Sequence, residues 1–68
     1  MNSASNLVII PTWNEAKNIE VLIPRVFNHV ENCSILVVDD GSPDATAAVV
    51  EKLTEEFKNL YLIVNKKK

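Results

Sequence analysis

The sequence contains very little glycine and cysteine, and each scarcity excludes a class of site. Its 68 residues include a single glycine, Gly41, and a single cysteine, Cys33. One glycine is too few for the GxGxxG dinucleotide fingerprint or the Walker phosphate loop. One cysteine can form no internal disulfide bond, which fits a reducing compartment, and no Cys/His set has the spacing of a zinc site.

Long apolar runs and an excess of positive charge are also missing. No apolar run approaches the roughly 18 residues of a membrane-spanning helix. The formal net charge of −2 argues against a general nucleic-acid binder. The one basic cluster, residues 66–68, is predicted to be a solvated tail or the start of a loop. With 47% hydrophobic and 24% charged residues, we expect one small globular domain of marginal stability.

Short apolar runs alternate with longer amphipathic segments. The run 7–10 is typical of a strand buried on both faces of a parallel sheet, the run 35–38 predicts a second buried strand, and the run 60–64 predicts a third strand. Apolar side chains at helical spacing predict an amphipathic helix after each of the first two runs. These side chains are Ile19, Leu22, Ile23, Val26, Phe27 and Val30 in the first helix, and Ala45, Val49, Val50, Leu53 and Phe57 in the second. The predicted fold is α/β, in the order β-α-β-α-β, with a three-stranded parallel sheet.

Polar residues and a proline mark the ends and the middle of the first predicted helix. Asn14 or Asn18 can cap its start. Pro24 is expected to kink or split it, because proline lacks an N–H and its ring crowds the preceding turn. His29 lies late in the helix and is expected to contact the carbonyl groups at that end.

The second predicted helix has its own start signals. Ser42 is a good N-cap, Pro43 suits the first helical position, and Asp44 favours the positive end of the helix dipole. Gly41 is expected to permit a backbone conformation or a close approach that a side chain would block. The N-terminus of this helix can also attract a phosphate.

The connections predict that one face of the sheet is bare. Right-handed crossovers that proceed in the same direction place both helices on the same face. The first strand also has an open edge, which natural folds normally cover. We therefore expect the missing cover to come from further sequence, a partner or self-association.

Two adjacent carboxylates, Asp39 and Asp40, follow the second predicted strand, where α/β proteins bind ligands. Adjacent carboxylates repel each other, so we expect a partner such as a metal ion, a pair of base N–H groups or ribose hydroxyls. Strand alternation turns the two side chains in opposite directions and predicts different roles for them. The alternative is that one of them accepts backbone N–H groups in the turn.

A second polar stretch, Pro11-Thr12-Trp13-Asn14-Glu15, follows the first predicted strand and would line the same crevice. Pro11 is expected to end that strand. Trp13 offers a flat face for a base or sugar, or else packs as a lid on the core. Glu15 can bond ribose hydroxyls or favour the helix start through its dipole. These residues predict a nucleotide-binding α/β segment.

The two polar stretches and their flanks resemble the start of family 2 glycosyltransferases. The resemblance is carried by residues 8–15, 18–20, 22–26, 35–44 and Thr46, and it extends from Leu7 to the final lysines. Within the family, the sequence is most similar to the dolichyl- or polyprenyl-phosphate mannosyltransferases. The resemblance implies that residues 1–68 are the N-terminal, nucleotide-binding portion of a single catalytic domain with a GT-A (Rossmann-like) fold, with the remainder of the domain absent.

An activity and a set of contacts follow from this resemblance. It implies GDP-mannose as donor, Mg²⁺ or Mn²⁺ as cofactor, and inverting transfer of mannose to a dolichyl or polyprenyl phosphate. The whole enzyme would work at the cytosolic face of a membrane, either the endoplasmic reticulum or a bacterial or archaeal plasma membrane. The positions that contact the base and ribose in the family correspond to Pro11, Trp13, Glu15, Asp39 and Asp40.

The sequence departs from the family pattern in three respects. Trp13 stands where the family usually has tyrosine, and Ala45 stands where the subgroup often has glycine. The chain also stops before the Asp-x-Asp motif that binds the metal, and Asp39-Asp40 is not that motif. We therefore expect no metal ligand, no catalytic residue and no turnover from this chain alone. The alternative is a stand-alone nucleotide-binding or regulatory module without catalysis.

Overall fold

The fold is a three-stranded parallel sheet with both helices on one face. The computed structural model describes residues 6–65, so the predicted lysine tail at 66–68 lies outside the described residues. The elements are β1 (Asn6–Thr12), α1 (Ala16–His29), β2 (Cys33–Asp39), α2 (Thr46–Thr54) and β3 (Leu60–Val64). The strands lie in the order β1-β2-β3, and both pairs are parallel. The predicted element order and parallel sheet are confirmed.

The core forms between the helices and one face of the sheet. Alternate residues of β2 are buried, and the register places Val8 of β1 and Leu60 of β3 on either side of Ile35. The cluster of buried hydrophobic residues consists of Ile19, Ile23, Cys33, Ile35, Val37, Val50 and Leu60. Phe27 of α1 and Phe57, just after α2, stack with their ring centroids 4.8 Å apart. This contact joins the two helical segments on the same side of the sheet.

The opposite face of the sheet is uncovered within the described part of the chain. Leu7 and Ile9 of β1 are 61% and 58% exposed, and Tyr61 and Ile63 of β3 are 53% and 48% exposed. The expectation of a bare face is confirmed. The expectation that β1 is buried on both faces is wrong for this chain, because both helices pack on the other side.

Strand β1 continues through Pro11 to Thr12, so the prediction that Pro11 ends the strand is wrong. The N–H of Asn6 bonds the carbonyl of Asn32, and the carbonyl of Thr12 accepts the N–H of Asp40. Since parallel strands bond their neighbour through alternate residues, the nitrogen of Pro11 faces the open edge, where no hydrogen bond is needed.

Helix α1 runs continuously across Pro24, so the prediction that this proline splits the helix is wrong. Neither Asn14 nor Asn18 caps its start: the N-cap residue is Glu15, and it makes no side-chain cap bond. Leu22 is 41% exposed and does not belong to the buried stripe. The ring of His29 lies 2.9 Å from the carbonyl oxygen of Arg25, which confirms its predicted contact with the last turn.

Helix α2 begins at Thr46, three residues later than Pro43, where the sequence predicted it to begin. Ser42 is not its N-cap, because its hydroxyl and its amide bond the Asp39 carboxylate instead. Ala45 is exposed, and Thr46 takes its place in the buried face of the helix.

Candidate functional site

Two loops meet at the carboxyl ends of β1 and β2. The first loop comprises residues 13–15, and the second comprises residues 40–45. The backbone amides of residues 14, 15 and 16 donate to side chains of the second loop and of the first turn of α2. The acceptors are Ser42 Oγ for Asn14 at 2.9 Å, Thr46 Oγ1 for Glu15 at 3.0 Å, and Asp44 Oδ2 for Ala16 at 3.4 Å. The two polar stretches found in the sequence therefore form one structural unit.

Asp39 lies beneath this unit and is 1% exposed. Its Oδ1 accepts the hydroxyl protons of Thr12 at 2.8 Å and Ser42 at 2.6 Å, and its Oδ2 accepts the Ser42 amide at 2.9 Å. Burial by itself raises the pKa of Asp39, but the hydrogen bonds from Ser42, Thr12 and the Gly41 amide outweigh it and hold the pKa below its ordinary value. The carboxylate satisfies donors in the turn, which is one of the two roles considered for it. Its contact with a nucleotide stays a prediction.

A second carboxylate, Asp44, lies at the first turn of both helices. Its Oδ1 accepts the amide of Thr46 at 2.9 Å and also the Thr46 hydroxyl, and its Oδ2 accepts the amide of Ala16 at the start of α1. The pKa of Asp44 is lowered, chiefly by the hydrogen bond from the Thr46 hydroxyl, while burial and the charge of Asp39 act in the opposite direction. A negative charge at a helix N-terminus is favourable, and this one already occupies the place where the sequence suggested a phosphate.

Two positive φ angles shape the loops. Gly41 has φ +79°, and a Cβ built there would lie 3.2 Å from the carbonyl oxygen of Asn65, so both predicted reasons for a glycine apply. Asn14 has φ +55°, which asparagine tolerates better than most residues. This angle turns the chain between Trp13 and Glu15.

The five residues predicted to bind a nucleotide all lie on or beside the two loops. Trp13 is 53% exposed, so its ring is not buried as a lid on the core. Pro11 and Glu15 are exposed, and Asp40 is half-buried directly after β2. By strand alternation, Asp40 follows the sheet face of Val38 and its β1 partner Pro11, whereas Asp39 belongs to the helix face. Asp39 is buried and Asp40 is half-buried. The opposite directions of the two side chains stay a prediction.

Ser42 and Thr46 were missed as residues that join the loops. The sequence pattern predicts Ser42 as a helix cap, and Thr46 was noted only as part of the motif that resembles the family. No local pattern could reveal their partners, because those partners lie about 30 positions away along the chain.

The described residues, 6–65, contain no ready cluster of metal ligands. No group of three or more His, Cys, Asp or Glu side chains in that range could hold a metal ion. The oxygens of Asp39 already accept protein donors. Among the described residues, no helix is both long enough and apolar enough to cross a membrane.

A parallel α/β sheet with joined polar loops at its carboxyl ends is the architecture of the nucleotide-binding part of a GT-A fold. Residues 7–68 match the family described as Glycosyl transferase family 2. The chain therefore belongs to the family 2 glycosyltransferases, as the sequence indicated.

Named relatives and a solved structure agree with this assignment. The chain is 51% identical over 47 residues to a polyprenol monophosphomannose synthase from Mycolicibacterium smegmatis, covering 69% of this chain and 18% of that protein. It is 44% identical over 52 residues to a dolichol-phosphate mannosyltransferase from Pyrococcus furiosus, covering 74% and 15% respectively. A mannosyltransferase from Pyrobaculum calidifontis, solved in complex with GDP-Man and Mn2+, superposes with a TM-score of 0.79 at 25% identity. That match covers 98% of this chain and 23% of the solved one. The chain thus spans less than a quarter of the length of each of these proteins.

Proposed function

We propose that this chain is the nucleotide-sugar-binding segment of a glycosyltransferase that transfers mannose from GDP-mannose to a dolichyl or polyprenyl phosphate. The observation that carries the proposal is the direct hydrogen bonding between the two loops, which joins the segment that contains Trp13 and Glu15 to the segment that follows Asp40. The mannosyltransferase names of the relatives support the choice of sugar, and the bound GDP-Man of the solved relative supports the choice of nucleotide.

The nucleoside is the part of the donor that these residues suit. A half-exposed indole at Trp13 can stack on a base, and the Asp40 carboxylate can accept the two N–H donors on the edge of guanine. Glu15 can accept ribose hydroxyls, and Pro11 flanks Asp40 on the same face. Asp39 supports the site from beneath, with its oxygens directed to Thr12 and Ser42.

We expect the chemistry of transfer to require groups beyond residues 6–65. The acceptor phosphate is already anionic, so orientation and neutralisation of the leaving diphosphate matter more than a strong base. We assign residues 1–68 to the N-terminal portion of a single catalytic domain and expect no transfer from this chain alone. Because residues 6–65 contain no group of three or more side chains that could hold a metal ion, no step through a metal is assigned to them. The lipid acceptor is the reason for proposing the cytosolic face of a membrane as the site of action.

Amide NMR titration of the chain with GDP, and separately with UDP, tests the proposal. We expect GDP to shift the amides of Trp13, Glu15 and Asp40, and to bind more tightly than UDP. Asp40→Asn should weaken GDP binding by at least about tenfold, because a hydrogen bond to a charged group contributes roughly 1.5–3 kcal/mol. Glu51→Gln on α2 is the matched control, since it removes a carboxylate away from the loops, and it should bind as the wild type does.

Two results would count against the proposal. If GDP shifts none of these amides, the chain is not the nucleotide-binding segment. If GDP and UDP bind equally and Asp40→Asn changes neither, guanine recognition by Asp40 is wrong.

A further inference from the structure

We infer that Ser42 and Thr46, each held by a carboxylate, are positioning residues that set the nucleotide selectivity of the site without touching the nucleotide. They act on the segment 13–16 through its backbone amides. The inference rests on the proposed function and goes beyond it, because neither residue belongs to the predicted nucleotide contacts.

Both hydroxyls have the same hydrogen-bonding pattern. Ser42 Oγ donates to Asp39 Oδ1 and accepts from the Asn14 amide, while Thr46 Oγ1 donates to Asp44 Oδ1 and accepts from the Glu15 amide. A hydroxyl has one proton to donate, and in both cases a carboxylate accepts it in a hydrogen bond. The lone pairs of the oxygen are therefore left to accept the amide of the other loop, so each carboxylate fixes the direction of the bond between the loops.

The first loop depends on these bonds because its helix provides no cap of its own. The first amides of a helix are normally satisfied by an N-cap side chain, but Glu15 makes no such bond. The Ala16 amide, the first in the helix, donates to Asp44, and the amides of Asn14 and Glu15 just before the helix donate to Ser42 and Thr46. The backbone around Trp13 is thus set by residues about 30 positions further along the chain.

The left-handed angle of Asn14 adds to this dependence. A residue with a side chain is strained at φ +55°, and this angle persists only where its surroundings hold it. The Asn14 amide bonded to Ser42 provides that hold. Without it, the angle between Trp13 and Glu15 can relax, and the two side chains change their positions relative to Asp40.

Thr46 permits a sharp test because it is completely buried and valine has nearly its shape. Thr46→Val removes the oxygen that accepts the Glu15 amide, whereas Thr46→Ser keeps it. We expect Thr46→Val to weaken GDP binding about tenfold and to reduce the ratio of GDP to UDP affinity. Thr46→Ser should stay within about threefold of the wild type. In the absence of nucleotide, amide hydrogen exchange at Glu15 should be faster in Thr46→Val than in the wild type, and Thr46→Ser should exchange at the wild-type rate.

Thr54→Val is the control for removing a hydroxyl from α2. The Thr54 hydroxyl donates to the Glu51 carbonyl, 2.6 Å away in the same helix, and touches neither loop. A loss of stability lowers the affinities for GDP and UDP by the same factor and leaves their ratio unchanged. A changed ratio therefore separates positioning from a merely structural role. If Thr46→Val does not fold, Ser42→Ala tests the same inference at the Asn14 amide.

The outcomes distinguish this inference from the proposed function. If the wild type binds GDP selectively and neither Thr46→Val nor Ser42→Ala changes the GDP to UDP ratio, only the inference is overturned. If the wild type does not bind GDP, the proposed function fails and the inference fails with it, whatever the exchange at Glu15. Selective loss in Thr46→Val with rescue in Thr46→Ser supports both.

Discussion

Two adjacent aspartates at the end of β2 occupy different environments. Asp39 is buried under donors from Thr12 and Ser42, whereas Asp40 lies half-buried after the strand end. Strand alternation predicted that they would diverge. It could not predict that Asp39 would bind Ser42, because the residue types that cap a helix also bond a carboxylate at the end of a strand.

Acid should destabilise the fold through Asp39. Its pKa in the folded chain lies below the ordinary value of 3.8, so the ionised carboxylate contributes stability above pH 3.8. That contribution is lost as the pH falls through the lower folded-state value. We expect Asp39→Asn to unfold at lower urea concentration than the wild type at pH 7, and to show a smaller further loss between pH 5 and about 2. Urea midpoints across this range measure both effects.

Glu51→Gln is the control for removing one carboxylate, and its acid dependence should follow the wild type. An Asp39→Asn variant with an unchanged acid slope would mean that the hydrogen bonds from Ser42 and Thr12 do not stabilise the ionised form.

At the scale of elements, the sequence predicted what depends on local periodicity. All three strands and both helices were expected, and β3 has the predicted bounds of Leu60 and Val64. The predictions were wrong where a segment distant in sequence determines where a strand or helix begins or ends. Pro11 stays in β1 because its nitrogen faces an open edge, and α2 starts late because Asp39 draws Ser42 into the turn. Edge position and contacts between loops are properties of the assembled sheet, and no short window of sequence contains them.

Helix α1 carries a proline in its interior, which should cost it stability. Pro24 cannot donate to the Glu20 carbonyl, and proline is roughly 3 kcal/mol less favourable than alanine in a helix interior. Replacing proline by alanine also increases the conformational freedom of the unfolded chain, which reduces this gain in stability by up to about 1 kcal/mol. We expect Pro24→Ala to stabilise the fold by about 2 kcal/mol, measured as a higher thermal midpoint by circular dichroism.

Pro43→Ala provides the comparison, because Pro43 lies outside both helices and is exposed. It should not raise the midpoint. A Pro24→Ala midpoint at or below that of the wild type would contradict the expected gain.

At the scale of the whole molecule, the main feature is the sheet face that neither helix covers. None of the strand residues on that face in the described chain is charged, and Leu7, Ile9, Tyr61 and Ile63 are all about half exposed or more. Parallel sheets are normally covered on both sides, and charges normally guard open edges. We propose that the 68-residue chain covers this face with a second copy of itself, or has molten character when kept dilute.

Sedimentation velocity over a range of concentrations tests self-association. We expect the wild type to form dimers or larger species and Ile9→Lys to shift the distribution towards monomer. Val21→Lys is the matched control, because Val21 is also 58% exposed but lies on α1, so the added charge should leave association unchanged. A sharply unfolding monomeric wild type at all concentrations would refute the proposal, and equal effects of the two lysines would place the contact elsewhere.

The order of the strands has a consequence for synthesis on the ribosome. Strands β2 and β3 each pair with the strand made immediately before them, and Thr12 bonds Asp39 only 27 positions later. Contacts between segments close in sequence form faster than distant ones, and chains fold from the N-terminal side as they emerge. The first βαβ unit can therefore pair before β3 has emerged, and residues 40–46, which follow β2, complete the candidate site only afterwards.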